Sequence, residues 1–323
     1  MNEVLFSNEV IVYLLSEGIL FLLLSIAFVI SLKVLLKWDF EKFTPYQFAL
    51  ERQAYLVSTI ILLVFTMKFL LLVYFIFSID ALSLLVPGAM CAAGVITANG
   101  YGSYLLILKL IILLFLTLWL YVHFYDMRTK NHQWFREKSW LFSVIFILIL
   151  FELILDFAYF SDIDIHQPVS CCSALFGQLE GANPLPFGLT IPLLLLLFYL
   201  LYALVLLSIK SKYILLYLLS NTLFVYIAYY AVVYFFGTYI YQLPTHKCPF
   251  CMMQADYAYV GYLLWGSLFV ATYLGISNAL GTLVMKKKHL KSQRYAAYLF
   301  NLFVLLCTLY VVIYYIKNGV LLS

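Results

Sequence analysis

Apolar residues run along this chain in long unbroken blocks, and the polar positions collect in short gaps between them. Blocks of this length match an α-helix crossing the roughly 30 Å hydrocarbon core of a bilayer. Eight are predicted, at 9–36, 55–79, 104–124, 139–160, 187–209, 213–241, 257–285 and 296–317. The expected fold class is therefore all-α: a polytopic integral membrane protein whose short connections leave no room for a soluble domain. Segment 38–54, mixed in charge and aromatics, reads as an interfacial helix. Segment 80–103 is apolar, rich in glycine and too short to cross twice, so it is expected to lie in the interface or dip back into the membrane.

Composition sharpens this picture. Apolar residues make up 66% of the chain and charged ones only 11%, far outside the globular range. The net charge of +4 is unevenly placed. Lys33, Lys37, Lys42 and Arg52 follow the first block; Arg128, Lys130, Arg136 and Lys138 follow the third. Lys210 and Lys212 follow the fifth, and Lys286, Lys287, Lys288, Lys291 and Arg294 the seventh. The alternate loops hold one basic residue, Lys247, among the acids Asp80, Asp162, Asp164, Glu180 and Asp256. The positive-inside rule then places both termini and the alternate loops outside the cytoplasm, as expected for a bacterial inner-membrane protein. Glu3 and Glu9 at the start are unlike the basic beginning of a cleavable signal peptide. Basic residues spread over four loops form no stripe for nucleic acid.

Ionisable residues within the blocks stand out because a membrane charge is costly. Glu17, Lys68 and Lys109 lie in the first three blocks. Glu152 and Asp156 share a helix face in the fourth by their i, i+4 spacing. The two carboxylates can be neutralised by Lys68 and Lys109, with Glu17 as a further partner, or can relay protons.

Five of the six cysteines, Cys91, Cys171, Cys172, Cys248 and Cys251, fall on the expected outer side, and Cys307 lies in the last block. Proline precedes a cysteine by four residues in each outer loop: Pro87–Cys91, Pro168–Cys172 and Pro244–Cys248. The most informative stretch is His246-Lys247-Cys248-Pro249-Phe250-Cys251-Met252-Met253. Two cysteines at this spacing can close a redox disulfide or hold a metal, and a helix directly after the pair is expected to stabilise a thiolate. Haem attachment is disfavoured, because Met252 stands where a histidine is required. Copper(I) or zinc binding is the alternative chemistry, with Cys248, Cys251, His246, Cys171 and Cys172 as candidate ligands and the neighbouring methionines as further soft donors. A third possibility is that the outer cysteines only staple loops together. Tyr257, Tyr259, Tyr262 and Trp265 read as an interfacial belt, and a flat ligand would use the same face. Asn221 is the main polar residue inside the fifth and sixth blocks.

From the fourth block onward the chain resembles the vitamin K epoxide reductase family of membrane thiol oxidoreductases. The resemblance rests on Cys172-Ser173-Ala174-Leu175-Phe176 and Phe187-Gly188 in one outer loop, and on Cys248-Pro249-Phe250-Cys251-Met252 two blocks later. It implies a four-helix redox bundle over 139–285, preceded by a three-span region, 1–138, and followed by a last span, 286–323. It further implies catalytic roles for Cys248, Cys251 and Cys172. Cys251 would face a membrane quinone (ubiquinone or menaquinone), and Cys248 would exchange with Cys172. Asn183 matches a quinone-binding position, and Phe250, Tyr257 and Asn221 complete the expected quinone-facing set. The implied soluble partner is a thioredoxin-like or other thiol protein on the outer side. Two positions depart from the family pattern: Asp164 stands at the first loop cysteine and Ala255 at a common tyrosine. Cys171 or Cys91 would have to supply the missing shuttle thiol.

Overall fold

A computed structural model describes residues 3–39, 44–129, 134–169, 185–210, 213–285 and 290–322. The chain is an all-α polytopic membrane protein, with eight helices among the described residues long and apolar enough to cross a membrane. No strand occurs among the described residues. The chain separates into two compact units, Met1–Ala81 with Ala98–Ile165 and Leu82–Thr97 with His166–Ser323. Span four therefore groups with the first three and span eight with spans five to seven, whereas the sequence resemblance joins spans four to seven.

In the first unit, α1 (Asn8–Lys37) starts at Ser7, whose hydroxyl accepts the Val10 N–H at 3.4 Å and satisfies an otherwise orphaned donor. α2 (Pro45–Leu82) opens with Thr44 accepting the Gln47 N–H at 3.3 Å, followed by proline in the first turn. No further proline and no glycine interrupts it, so residues 45–54, expected as part of a separate interfacial helix, are instead the first turns of span two, while residues 40–43 lie outside the described residues. α3 (Ala92–Ile96), a short helix, belongs to the second unit. Asn99 caps α4 (Tyr101–Asp126) by accepting from the N–H groups of Tyr101 (3.1 Å) and Gly102 (3.3 Å), and its amide donates to Tyr159 O at 2.9 Å. α5 (Phe135–Ser161) packs against both α1 and α4. The turn between α4 and α5 is fixed by Asp126, which accepts from Trp134 N (3.1 Å) and pairs with Lys138 (3.3 Å).

In the second unit, α6 (Ile191–Lys210) and α7 (Ile214–Tyr241) form a hairpin, and α8 (Val260–Met285) packs against both α7 and α9 (Leu290–Asn318). Phe198, Phe224 and Phe300 pack in series within this unit, tilted and then edge to face, with ring centroids 5.4 and 5.3 Å apart. α7 contains one π-helical turn, Val232–Phe236, and ends at Gln242, whose left-handed backbone (φ 56°) stops the helix. Such single-turn bulges shift the register of the side chains that follow, and the residue so placed last in the helix is Tyr241.

Candidate functional site

The cysteine motif lies in the connection between α7 and α8, and the connection is built around Tyr241. Its hydroxyl donates to the Cys248 carbonyl and accepts the Met252 N–H at 3.0 Å. One buried phenol thus ties both ends of the Cys-Pro-Phe-Cys turn to the end of α7. From the other side, Trp265 on α8 donates its indole N–H to the Pro249 carbonyl at 3.0 Å. Trp265 is only 5% exposed. It is a clamp on the motif rather than a member of an interfacial belt, unlike Tyr259, which is half exposed.

The expected helix directly after the cysteine pair is not there. Cys251–Met253 makes one 3-10 turn, Ala255–Tyr257 makes another, and α8 starts only at Val260. Ala258 and Tyr259 hold positive φ (52° and 56°), which breaks the helical path between them. A helix dipole therefore does not act on the pair. Cys248 instead receives a local donor, the Phe250 N–H at 3.4 Å from its sulfur.

A third thiol completes the site. Cys91, the residue before α3, places its sulfur 3.6 Å from that of Cys248. The sulfurs of Cys91, Cys248 and Cys251 all lie within 4.8 Å of one another, and all three residues are buried. At 3.6 Å the first two are in contact and unbonded, since a disulfide is about 2.05 Å long. Segment 82–97 is held in place by Gln254, whose amide donates to Met90 O at 3.1 Å, and by Val169, whose N–H donates to Pro87 O at 2.9 Å. Gly88 (φ 80°) is required there: a Cβ would come within 2.6 Å of Val169 O.

The remaining expected residues divide clearly. Phe250 adjoins Cys251 and is half-buried against the core. The Tyr257 ring lies 4.8 Å from the Tyr241 ring, and burial, with help from nearby Cys251, pushes its phenol above the ordinary tyrosine value. His246 meets Tyr241 edge to face at 4.3 Å. Burial holds its imidazole below the usual histidine range, opposed in part by Cys91, and its Nε2 has no hydrogen-bond partner among the described residues. Asn221 is elsewhere, well back along α7, with its amide donating to Tyr217 O at 2.9 Å and its side chain filling the space over Gly275. Twenty helical residues separate it from Tyr241, about 30 Å of rise, so it packs α7 on α8 and does not join the thiols. Cys171, Cys172 and Asn183 lie outside the described residues. Tyr241 carries the site, yet the sequence reading did not single it out; among so many tyrosines nothing in its spacing marks it.

Comparison with protein-family models, with curated proteins and with solved structures finds no match to this chain.

Proposed function

We propose that the protein is a membrane thiol–disulfide oxidoreductase whose working centre is the Cys91, Cys248 and Cys251 triad. The observation that carries this reading is the 3.6 Å contact between Cys91 and Cys248, with Cys251 inside the same 4.8 Å cluster. Cys248 has the sulfurs of both neighbours within 4.8 Å. In the exchange step the Cys91 thiolate attacks the Cys248 sulfur of a Cys248–Cys251 disulfide. The Cys91–Cys248 bond forms, the Cys248–Cys251 bond breaks, and Cys251 leaves as a thiolate that takes up a proton. An outer-side dithiol protein then reduces the Cys91–Cys248 bond and is itself oxidised to a disulfide, leaving Cys248 and Cys251 as the dithiol whose two electrons and two protons pass to an acceptor as their disulfide re-forms. A membrane quinone, as the vitamin K epoxide reductase resemblance implies, supplies a two-electron, two-proton acceptor. Phe250 and Tyr257 offer aromatic faces for a flat acceptor beside Cys251, while Trp265 and Tyr241 hold the turn rigid. The charge pattern of the loops supports an outer, oxidising location for the triad in a bacterial inner membrane.

A second reading, soft-metal capture, is favoured by one observation. Three sulfurs around a metal at about 2.3 Å each would lie about 4 Å apart, close to the spacing present, whereas His246 on the same loop is not part of the 4.8 Å cluster. Cu(I) is the metal that best suits such a thiolate set.

Thiol trapping on the purified chain separates the two. Mass-tag alkylation after treatment with a soluble quinone is expected to show Cys248 and Cys251 protected as a disulfide, and then released by a dithiol. In a Cys251→Ser variant the same treatment is expected to trap a Cys91–Cys248 disulfide. Thiols that ignore quinone and take the tag only after a chelator would instead establish the metal site and end the redox reading.

A further inference from the structure

The first unit buries a second constellation that thiol exchange does not use. Tyr13 and Glu17 on α1, Lys68 on α2, Lys109 on α4, and Glu152 and Asp156 on α5 meet in its interior, none more than 4% exposed. Lys68 Nζ lies 2.8 Å from Glu17 and 2.6 Å from Glu152; Lys109 Nζ lies 2.8 Å from Glu152 and 2.9 Å from Asp156. Lys109 also donates to the Tyr13 hydroxyl at 2.5 Å. That hydroxyl stands 3.1 Å from Glu17 Oε1 and 3.1 Å from Asp156 Oδ2, closing a ring. A small cavity opens beside Tyr13, Glu17, Lys68, Lys109 and Glu152. The surrounding wall is aromatic: Phe75 lies under the Lys109 ammonium at 4.7 Å, and Tyr159 and Phe160 close the α5 side. The one carboxylate on the short segment Glu3–Phe6, Glu3, is exposed and contributes nothing to the cluster.

Two independent counts point the same way. Three carboxylates against two ammonium groups leave one negative charge uncompensated in a buried site whose small cavity has little room for water, and such a charge is removed by taking up a proton. The hydrogen count agrees. The Tyr13 hydroxyl has one hydrogen, so it can donate to only one of the two carboxylates beside it. The other 3.1 Å contact is a hydrogen bond only if that carboxyl carries the hydrogen itself. Glu152, gripped by both lysines, is the acid best kept ionised; Glu17 and Asp156 each have one lysine and share the phenol.

We propose that this ring binds one proton and relays it between Asp156 and Glu17 through the Tyr13 hydroxyl. One proton resides on Asp156 or Glu17. When Asp156 gives its proton to the Tyr13 oxygen, Tyr13 gives its own to Glu17, and the phenol holds one hydrogen before and after. Lys68, Lys109 and Glu152 are positioning residues that fix the two acids on either side of the phenol.

Infrared difference spectroscopy of the full chain in detergent at neutral pH, in water and in heavy water, tests this. The wild type is expected to show the carbonyl stretch of one protonated carboxyl, shifted by deuterium. Asp156→Asn and Glu17→Gln, which mimic the protonated form in shape, are each expected to lose that band while eluting as folded protein. Tyr13→Phe is expected to keep the band but slow its deuterium exchange. A wild-type spectrum without the band would mean a fully ionised, static ion-pair ring and would overturn the proposal. So would a band that survives in both amide variants, or an exchange rate that Tyr13→Phe leaves unchanged.

Discussion

At the scale of single residues, the thiol centre depends on one phenol more than on its immediate sequence neighbours. Tyr241 satisfies the Cys248 carbonyl and the Met252 N–H together. Removing its hydroxyl leaves a buried backbone donor unpaired, a loss of about 1–3 kcal/mol. Tyr241→Phe is therefore expected to loosen the cysteine turn: the melting temperature falls and alkylation of Cys248 and Cys251 accelerates, with helix content by circular dichroism unchanged. Unchanged alkylation would show that Trp265 alone holds the turn. His246 gives a pH expectation. Its folded-state value lies below the unfolded one, so the unfolded chain binds the extra proton first. Its contribution to stability is complete above the ordinary histidine value and is lost as pH falls through that value toward the depressed one. His246→Gln should flatten the acid side of the stability profile, measured by thermal melts across mildly acidic pH, and a profile identical to wild type would contradict the assignment. Cys248 and Cys251 were legible in the sequence because their spacing carries chemistry. Cys91 was legible as an outer cysteine able to supply the missing shuttle thiol, but its approach to Cys248 was not, since that depends on contacts between segments distant in the chain.

At the scale of elements, hydropathy located all eight membrane-length helices among the described residues but not the turns that aim the side chains. Pro45 and the unbroken run after it made one long α2 where mixed charge had suggested two pieces. Met252 and Met253, apolar and directly followed by an apolar block, looked like a helix start. The left-handed Ala258 and Tyr259 that forbid it have no glycine or asparagine to announce them. The ionic pairing of Lys68 and Lys109 with Glu17, Glu152 and Asp156 was legible, because membrane charges must find each other. Helix α8 supplies a matched pair of substitutions. A Cβ on Gly261 would come within 2.6 Å of Met252 Cγ, 2.8 Å of Met253 Cγ and 2.9 Å of the Met252 backbone, whereas one on Gly266 meets nothing within 4 Å. Gly261→Ala is expected to push the cysteine turn off α8 and to abolish quinone-dependent disulfide formation. Gly266→Ala, on the same helix, should be silent or slightly stabilising, by up to about 1 kcal/mol. Equal behaviour of the two in the trapping assay would mean that the seat of the turn on α8 is unimportant.

At the scale of the whole molecule, the direction in which the helices cross decides whether a thiol relay has any chemistry to perform. The eight spans among the described residues would put both ends of the chain on one side. The basic residues after spans one, three, five and seven, against the single Lys247 in the alternate loops, lead the positive-inside rule to predict that this side is the exterior. Disulfides persist there and are reduced in the cytosol, so the orientation and the redox reading stand or fall together. Reporter fusions measure it directly. Alkaline phosphatase, active only outside the cytoplasm, is expected to be active when joined after Asn318 or inserted at Thr245, and silent after Arg128. Green fluorescent protein, which fluoresces only when folded in the cytoplasm, should give the opposite pattern. If the Thr245 fusion fluoresced, Cys248 and Cys251 would face a reducing compartment, and a buried three-thiol cluster there would be better suited to hold a soft metal ion than to cycle through disulfides. Labelling of whole cells with a membrane-impermeant, amine-reactive reagent adds an independent reading, because Lys247 lies on the same connection as Cys248 and Cys251 and reports its side without altering any cysteine.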